Sequence, residues 1–378
     1  MENRGTMKIR RVMLCWLLAA VAVLACQVPV FRFALERWPA DKFELLVTSR
    51  GAPEGALKEK LDELEKTLAA DANAINLKVK RVDLDALTEE ELISLPALDY
   101  AGEEPTMILL PPESWKVEEP VWTGPATAEN LALMLDSPLR QRCGEHLVKG
   151  ASAVWVLVEC GDPEKDSKAR EVMEAGVEEA GKVLELPEGI IRREDLNKDF
   201  ENIDPDNILR SGIPLEISFV TEVVSRDDPA EALFLKMLVE PEDLALGEPL
   251  IVPVFGRGRT FGGMAASQAT VQRIVGANEY LCGACSCQVK EGNPGYDLLF
   301  SRNWDEILEV EEITADSEVI KRNLDLVSFG PEEPEAAAPA PKEEASRYRN
   351  LLIGLVIFNV VAFGALSYLR HRNRSRAA

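Results

Sequence analysis

The sequence predicts an α/β protein with two tandem halves, each a central mixed sheet flanked by helices, followed by a terminal transmembrane helix. Three observations carry this expectation. Strand-like and helix-like patterns alternate in the same order twice between residues 43 and 280. Each half contains a strand entered through a proline, Pro105 in the first and Pro249 in the second. Near the end of the 378-residue chain, residues 351–369 carry no charge and are mostly Leu, Ile, Val, Phe and Ala.

In the first half, 43–49 reads as a short buried strand bounded by Arg50 and Gly51. Leu57, Leu61, Leu64 and Leu68 then recur at helical spacing, so 54–70 is an amphipathic helix. Leu77, Val79 and Val82 alternate into a second strand. After a polar helical stretch, Pro105 leads into a third strand ending at Leu110, and Val121 with Trp122 suggest a fourth. Helices close the half at 127–135 and, with Pro138 at a first helical position after Ser137, up to Gly150.

The second half follows the same order. Residues 153–158 form a strand, and Ala169, Met173, Gly176, Ala180 and Val183 belong to a helical stripe. A strand at 215–224, a helix at 229–239 and the proline-entered strand at 249–255 follow. A Gly256-Arg257-Gly258 turn leads to Thr260 and Phe261, and 270–280 closes the half. A polar insertion at 187–214 has no counterpart in the first half. The glycines around Arg257 sit between strands rather than between a strand and a helix, so they read as a hairpin turn and not a phosphate loop.

The order strand, helix, strand, helix, proline-entered strand, hairpin, helix resembles the thioredoxin fold, present twice. The resemblance implies cis prolines at Pro105 and Pro249, each beside a redox site at the start of the first helix. Those sites hold no Cys-X-X-Cys: the first has Ser49, Arg50, Gly51, Ala52, Pro53 and Glu54, and the second has Cys160 alone. A thioredoxin site needs a second thiol to resolve the mixed disulfide. The two halves are therefore read as degenerate, and a binding or scaffold role is expected ahead of catalysis. The whole chain also resembles a type of bacterial membrane-anchored protein, through the segment from Val28 to Trp38 and the run from Cys285 to Lys290.

The termini set the expected topology. Arg4, Lys8, Arg10 and Arg11 precede an apolar run at 12–31, a signal sequence or an N-terminal anchor. Val23, Leu24, Ala25 and Cys26 loosely match a lipobox, with Cys26 as the lipidated residue, although Leu24 is larger than that position usually takes. Arg370, Arg372, Arg374 and Arg376 follow the C-terminal run and mark its cytoplasmic side. The resulting division is 1–31 signal or anchor, 43–150 and 151–330 the two halves, 331–350 a Pro-, Ala- and Glu-rich stalk, 351–369 the transmembrane helix and 370–378 a basic tail. The main domain is expected in the periplasm, bound to the cytoplasmic membrane. The chain's net charge is −23; setting aside +3 on the first eleven residues and +4 on the last nine leaves −30 between them. Such a surface repels nucleic acid and anionic lipid headgroups; a cationic partner or simple solubility suits it, solubility being the plainer reading, and a protein partner at the membrane is expected.

The chemistry-bearing cluster is Cys282, Cys285 and Cys287, three of seven cysteines. In an oxidising compartment a Cys282–Cys285 disulfide is the leading expectation, with Cys287 unpaired or bonded at long range. A soft metal ion or thiol–disulfide chemistry at the same three thiols is the alternative reading, and otherwise no cofactor is expected. No metalloprotease, nucleophile-elbow or Walker motif occurs. For topology, a reporter fused after Ala378 is expected to be active in the cytoplasm and one inserted at Ala338 active outside; the reverse pattern in a dual-reporter assay refutes the orientation.

Overall fold

The computed structural model describes residues 27–95, 104–195 and 205–310. The unit 326–378 lies outside them, and with it the stalk, the transmembrane run and the basic tail; Cys26 and the run before it also fall outside. Among the described residues no helix is long and apolar enough to cross a membrane.

The first half contains β1 (Phe43–Ser49), α2 (Gly55–Ala70), β2 (Leu77–Asp83), α3 (Glu89–Ser94), β3 (Thr106–Leu110), β4 (Trp122–Pro125), α4 (Ala128–Leu135) and α5 (Pro138–Val148), preceded by α1 (Val30–Arg37). The second contains β5 (Ala153–Glu159), α6 (Pro163–Val183), β6 (Phe219–Ser225), α7 (Ala232–Leu238), α8 (Pro241–Ala245), β7 (Leu250–Phe255), β8 (Arg259–Thr260), β9 (Met264–Ala265) and α9 (Val271–Cys282). It ends with α10 (Cys287–Gly292), β10 (Tyr296–Asp297) and α11 (Trp304–Leu308). Both sheets are mixed and flanked by helices. The first runs β2-β1-β3-β4 and the second β10-β8-β7-β5-β6, with β9 also on β7.

The duplication extends to register. β1 pairs parallel with β2 from Phe43↔Leu77 to Ser49↔Asp83, and β5 with β6 from Ala153↔Phe219 to Glu159↔Ser225. β1 pairs antiparallel with β3 from Glu44↔Leu110 to Thr48↔Thr106, and β5 with β7 from Val154↔Val254 to Val158↔Leu250. Matching these registers puts Thr106 on Leu250, and hence Pro105 on Pro249. The Pro105 carbonyl accepts from Ala126 N and the Pro249 carbonyl from Ala266 N, both at 2.8 Å. Thr127 and Thr270 then cap the next helix in each half by accepting from the N–H three residues on. The expected cis bonds at these prolines are absent: no cis peptide occurs among the described residues. Each trans proline instead enters its strand extended, with its carbonyl serving the neighbouring segment.

The division at 150/151 matches the change of sheet, but the core crosses it. On β5, Val154, Val156 and Val158 face one cluster while Ala153, Trp155 and Leu157 face another, the two-residue period of a strand covered on both sides. The first cluster also takes Phe43, Leu45 and Val47 from β1, so both sheets close onto one apolar layer. That layer includes residues of α5 and α7 and the segment from Leu298 to Leu308. Polar links reinforce it. The Ser137 hydroxyl makes no capping bond; Leu139 N, near the start of α5, donates instead to Glu231 of the second half at 2.6 Å. Asn76 donates to Leu298 O and accepts from Phe300 N, tying β2 to the final segment.

The last residues of the 12–31 run belong to the folded unit. Val28, Val30 and Phe31 are at most 1% exposed inside the folded unit, and α1 is buried along nearly its whole length. The apolar run at 12–31 therefore combines a stretch outside the described residues with the first residues of the core. Hydropathy does not distinguish them, because a buried helix and a membrane run are both apolar. Within α1, Arg32 Nε donates to Glu36 Oε1 at 2.8 Å with both side chains fully buried. Glu36 also accepts from Arg210 N, Ser211 N and the Ser211 hydroxyl. Glu36→Ala is expected to destabilise the fold by about 3–5 kcal/mol, because it strands a buried guanidinium and two backbone donors. Urea unfolding followed by tryptophan fluorescence measures this; a loss no greater than that of an exposed pair contradicts it.

Candidate functional site

Each half has a loop between its first strand and the following helix, where the resemblance locates reactive thiols. The register equivalence aligns Gly51-Ala52-Pro53-Glu54 with Gly161-Asp162-Pro163-Glu164, a repeated Gly-x-Pro-Glu. Gly51 and Gly161 both have positive φ, 80° and 87°. In both loops the backbone turns through the left-handed region, where glycine has no steric penalty, before proline begins or precedes the helix.

The loops share a shape but are stabilised differently. In the first, Gly51 N donates to Asp83 Oδ1 at 3.0 Å, Ser49 Oγ donates to Gly51 O at 2.7 Å, and Arg50 pairs with Asp85. In the second, Cys160 N and Gly161 N donate to the two oxygens of buried Asp166 at 2.8 and 3.0 Å. Asp162 caps α6 by accepting from Glu164 N and Lys165 N. A helix start normally offers its N–H groups to an anion. Here a carboxylate holds the glycine N–H of each loop, Asp83 in the first and Asp166 in the second, while Glu54 at the start of α2 makes no side-chain capping bond. Cys160 is half-buried, with no second thiol in its loop.

Beside the second loop, Arg226 donates to the carbonyls of Glu159, Leu244 and Glu248 at 3.3, 3.1 and 2.7 Å. This guanidinium fixes the backbone just before Pro249. Glu248 itself accepts from Ser267 N at 2.7 Å, which holds its carboxyl below the usual range. Both contacts position the loop.

The cysteine cluster is divided by burial. Cys282 ends α9 and Cys285 lies in the loop after it, 1% and 0% exposed, while Cys287 begins α10 exposed to solvent. The expected Cys282–Cys285 disulfide is not formed. Burial pushes the Cys282 thiol up to about 12, opposed by a hydrogen bond with Ser152. Among the described residues no group of three His, Cys, Asp or Glu side chains is placed to hold a metal ion. The loop serves instead as a backbone clamp. Val30 N donates to Gly283 O at 3.0 Å, Cys285 N to Val28 O at 2.9 Å, and Pro29 bridges to Ala284. The cluster thus grips the segment that enters the domain from the N-terminal run. The buried thiols pack with Val28, Phe31 and Leu281 as small apolar groups.

His146, the histidine of the first half, meets Glu222 at 3.1 Å and joins α5 to β6. The Gly256-Arg257-Gly258 turn faces inward: Arg257 donates to Leu35 O and Glu36 O at the end of α1 and pairs with Asp305. A Cβ at Gly258 would lie 2.3 Å from the Phe300 ring, so this turn is glycine-bound by packing as well as by its φ of 89°. Sequence reading missed the carboxylates Asp83 and Asp166, the Arg226 clamp and the Arg32–Glu36 pair. The aligned Gly-x-Pro-Glu and the i,i+4 spacing of Arg32 and Glu36 were available signals.

No family model, curated protein or solved structure matches the chain.

Alkylation is expected to modify Cys287 readily and Cys160 more slowly in the native chain, leaving Cys143, Cys282 and Cys285 protected until denaturant is added. Since Cys282 holds its proton to about 12, its thiolate is still only about 0.1% of the total at pH 9, and its labelling should stay far slower than that of Cys287 at either pH. Peptide mapping by mass spectrometry reads this; equal labelling of all five contradicts the burial pattern.

Proposed function

We propose that this chain is a non-catalytic binding or scaffold protein, held at the outer face of a cytoplasmic membrane and built on two degenerate thioredoxin-like halves. The observation that carries this reading is the pair of register-equivalent loops. They retain the glycine turn followed by Pro-Glu, lack a thiol pair, and hold the glycine N–H on Asp83 in one and on Asp166 in the other. Strand order supports the thioredoxin-like assignment: a parallel first pair, an antiparallel third strand entered through proline, and a hairpin partner, in both halves. The trans prolines depart from that family at the position where its redox site lies. The uncharged run at 351–369 and its arginine flank support the membrane address.

Thiol–disulfide chemistry is disfavoured by burial. A thiol titrating near 12 contributes almost no thiolate at neutral pH, and Cys282 and Cys285 are covered by the core. The full chain is expected to reduce insulin no faster than the uncatalysed dithiothreitol background, with Cys160→Ser and Cys287→Ser variants indistinguishable from the parent. A rate well above background that either substitution abolishes overturns the reading.

A further inference from the structure

The two halves leave between them a cleft of about 960 Å³, unconnected with the paired loops or the cysteine clamp. One wall is the β3–β4 connection, with Trp115 and Val121; the other is the α7–α8 region, with Met237 and Leu244, and Tyr296 forms part of the base. Trp115 packs edge-on against both Phe43 and Tyr296, at 5.5 and 4.9 Å between ring centroids, so the apolar base is rigidly supported. Clefts of this size at the junction of two structural halves are common binding sites.

Two features specify what fits. Glu119, Glu240 and Glu242 ring the mouth, all exposed and none ion-paired among the described residues, against the single cation Lys236. Burial, with Glu240 and Asp243 adding to it, pushes the Tyr296 phenol up, which reflects the same negative field at the base. An apolar base inside an acidic rim suits a large apolar side chain with Lys or Arg alongside. The chain's own stalk is a poor occupant: Glu332, Glu333, Glu335, Glu343 and Glu344 outnumber Lys342, and the rim repels them.

We infer that this cleft binds a cationic segment of a partner protein, through an aromatic or long aliphatic side chain flanked by Lys or Arg. The inference rests on the binding-protein reading above and names its partner class.

The test uses the full chain in phosphatidylcholine nanodiscs and a fluorescein-labelled Lys-Phe-Lys-Leu-Lys peptide, followed by anisotropy, with empty nanodiscs subtracted. Saturable one-to-one binding is expected, with none for Glu-Phe-Glu-Leu-Glu. Glu240→Lys with Glu242→Lys should weaken binding at least ~10-fold, and a matched reversal on α6, Glu174→Lys with Glu179→Lys, should change it by less than about twofold. Val117→Arg, at a position 49% exposed on the cleft edge, repeats the test from the opposite wall and should also weaken binding. Circular dichroism melts confirm that each variant is folded. Absence of saturable binding, or equal weakening by the cleft and α6 reversals, overturns the inference. Either result leaves the non-catalytic reading intact, since that reading fails only in the insulin assay.

Discussion

The fold depends on one buried ion pair. Arg32 and Glu36 lie one turn apart on a helix with almost no exposed surface, and removing two charges from water costs several kcal/mol for each. The surrounding donors and acceptors offset that cost. Glu36 receives Arg32, Arg37, the N–H groups of Arg210 and Ser211, and the Ser211 hydroxyl. Arg32 reaches the Ser211 hydroxyl and Ile213 O at 2.8 and 2.6 Å. The pair therefore fixes the insertion of the second half against a helix that precedes the first. Arg257 adds to the same junction by taking the carbonyls at the end of that helix. A single polar centre so connects three segments distant in sequence, and its geometry imposes specificity that an apolar contact of equal area would not.

Around that centre, two repeated sheets behave as one body. The central strands β5 and β7 of the second sheet are covered on both faces, and one of those faces is the layer shared with the first sheet. Sharing lets each half bury part of its apolar surface against the other. It also explains why capping groups cross the boundary. Arg140, fully buried, supplies its guanidinium to Met134 O at the end of α4 and lies over Phe234 of the second half at 5.1 Å. Burial lowers Arg140 to about 10 while Asp136 and Glu231 oppose the shift, so it remains a cation near neutral pH.

The same physical logic separates positions that resemble sites from positions able to bind. In the two loops and the cysteine clamp, backbone groups already have intramolecular partners: Asp83 holds Gly51 N, Asp166 holds Cys160 N and Gly161 N, and the 283–285 backbone secures residues 28–30. The cleft between the halves is the reverse. Its rim carboxylates Glu119, Glu240 and Glu242 are exposed and carry no ion pair among the described residues.

The sequence by itself determined the strands and helices that have strong periodicity or proline punctuation. Phe43–Ser49, Ala153–Glu159 and the strands after Pro105 and Pro249 were all legible, because β-rich apolar runs bounded by turns admit few alternatives. The repeated order was legible for the same reason. Tertiary structure alone decided the rest. Val28 and Phe31 look like the end of an apolar export run until Gly283 and Cys285 are seen holding that backbone. Cys282 and Cys285 have a spacing that permits a disulfide, yet the direction of each side chain depends on the helix end and on the segment packed over it. The carboxylates closing the two loops come from the end of a strand in one half and from inside a helix in the other, so no shared spacing announces them. The cleft is less legible still, since Trp115, Met237 and Tyr296 meet only when both sheets close on one core. Local pattern reports what a segment prefers; which groups remain unsatisfied depends on what the rest of the chain brings against it.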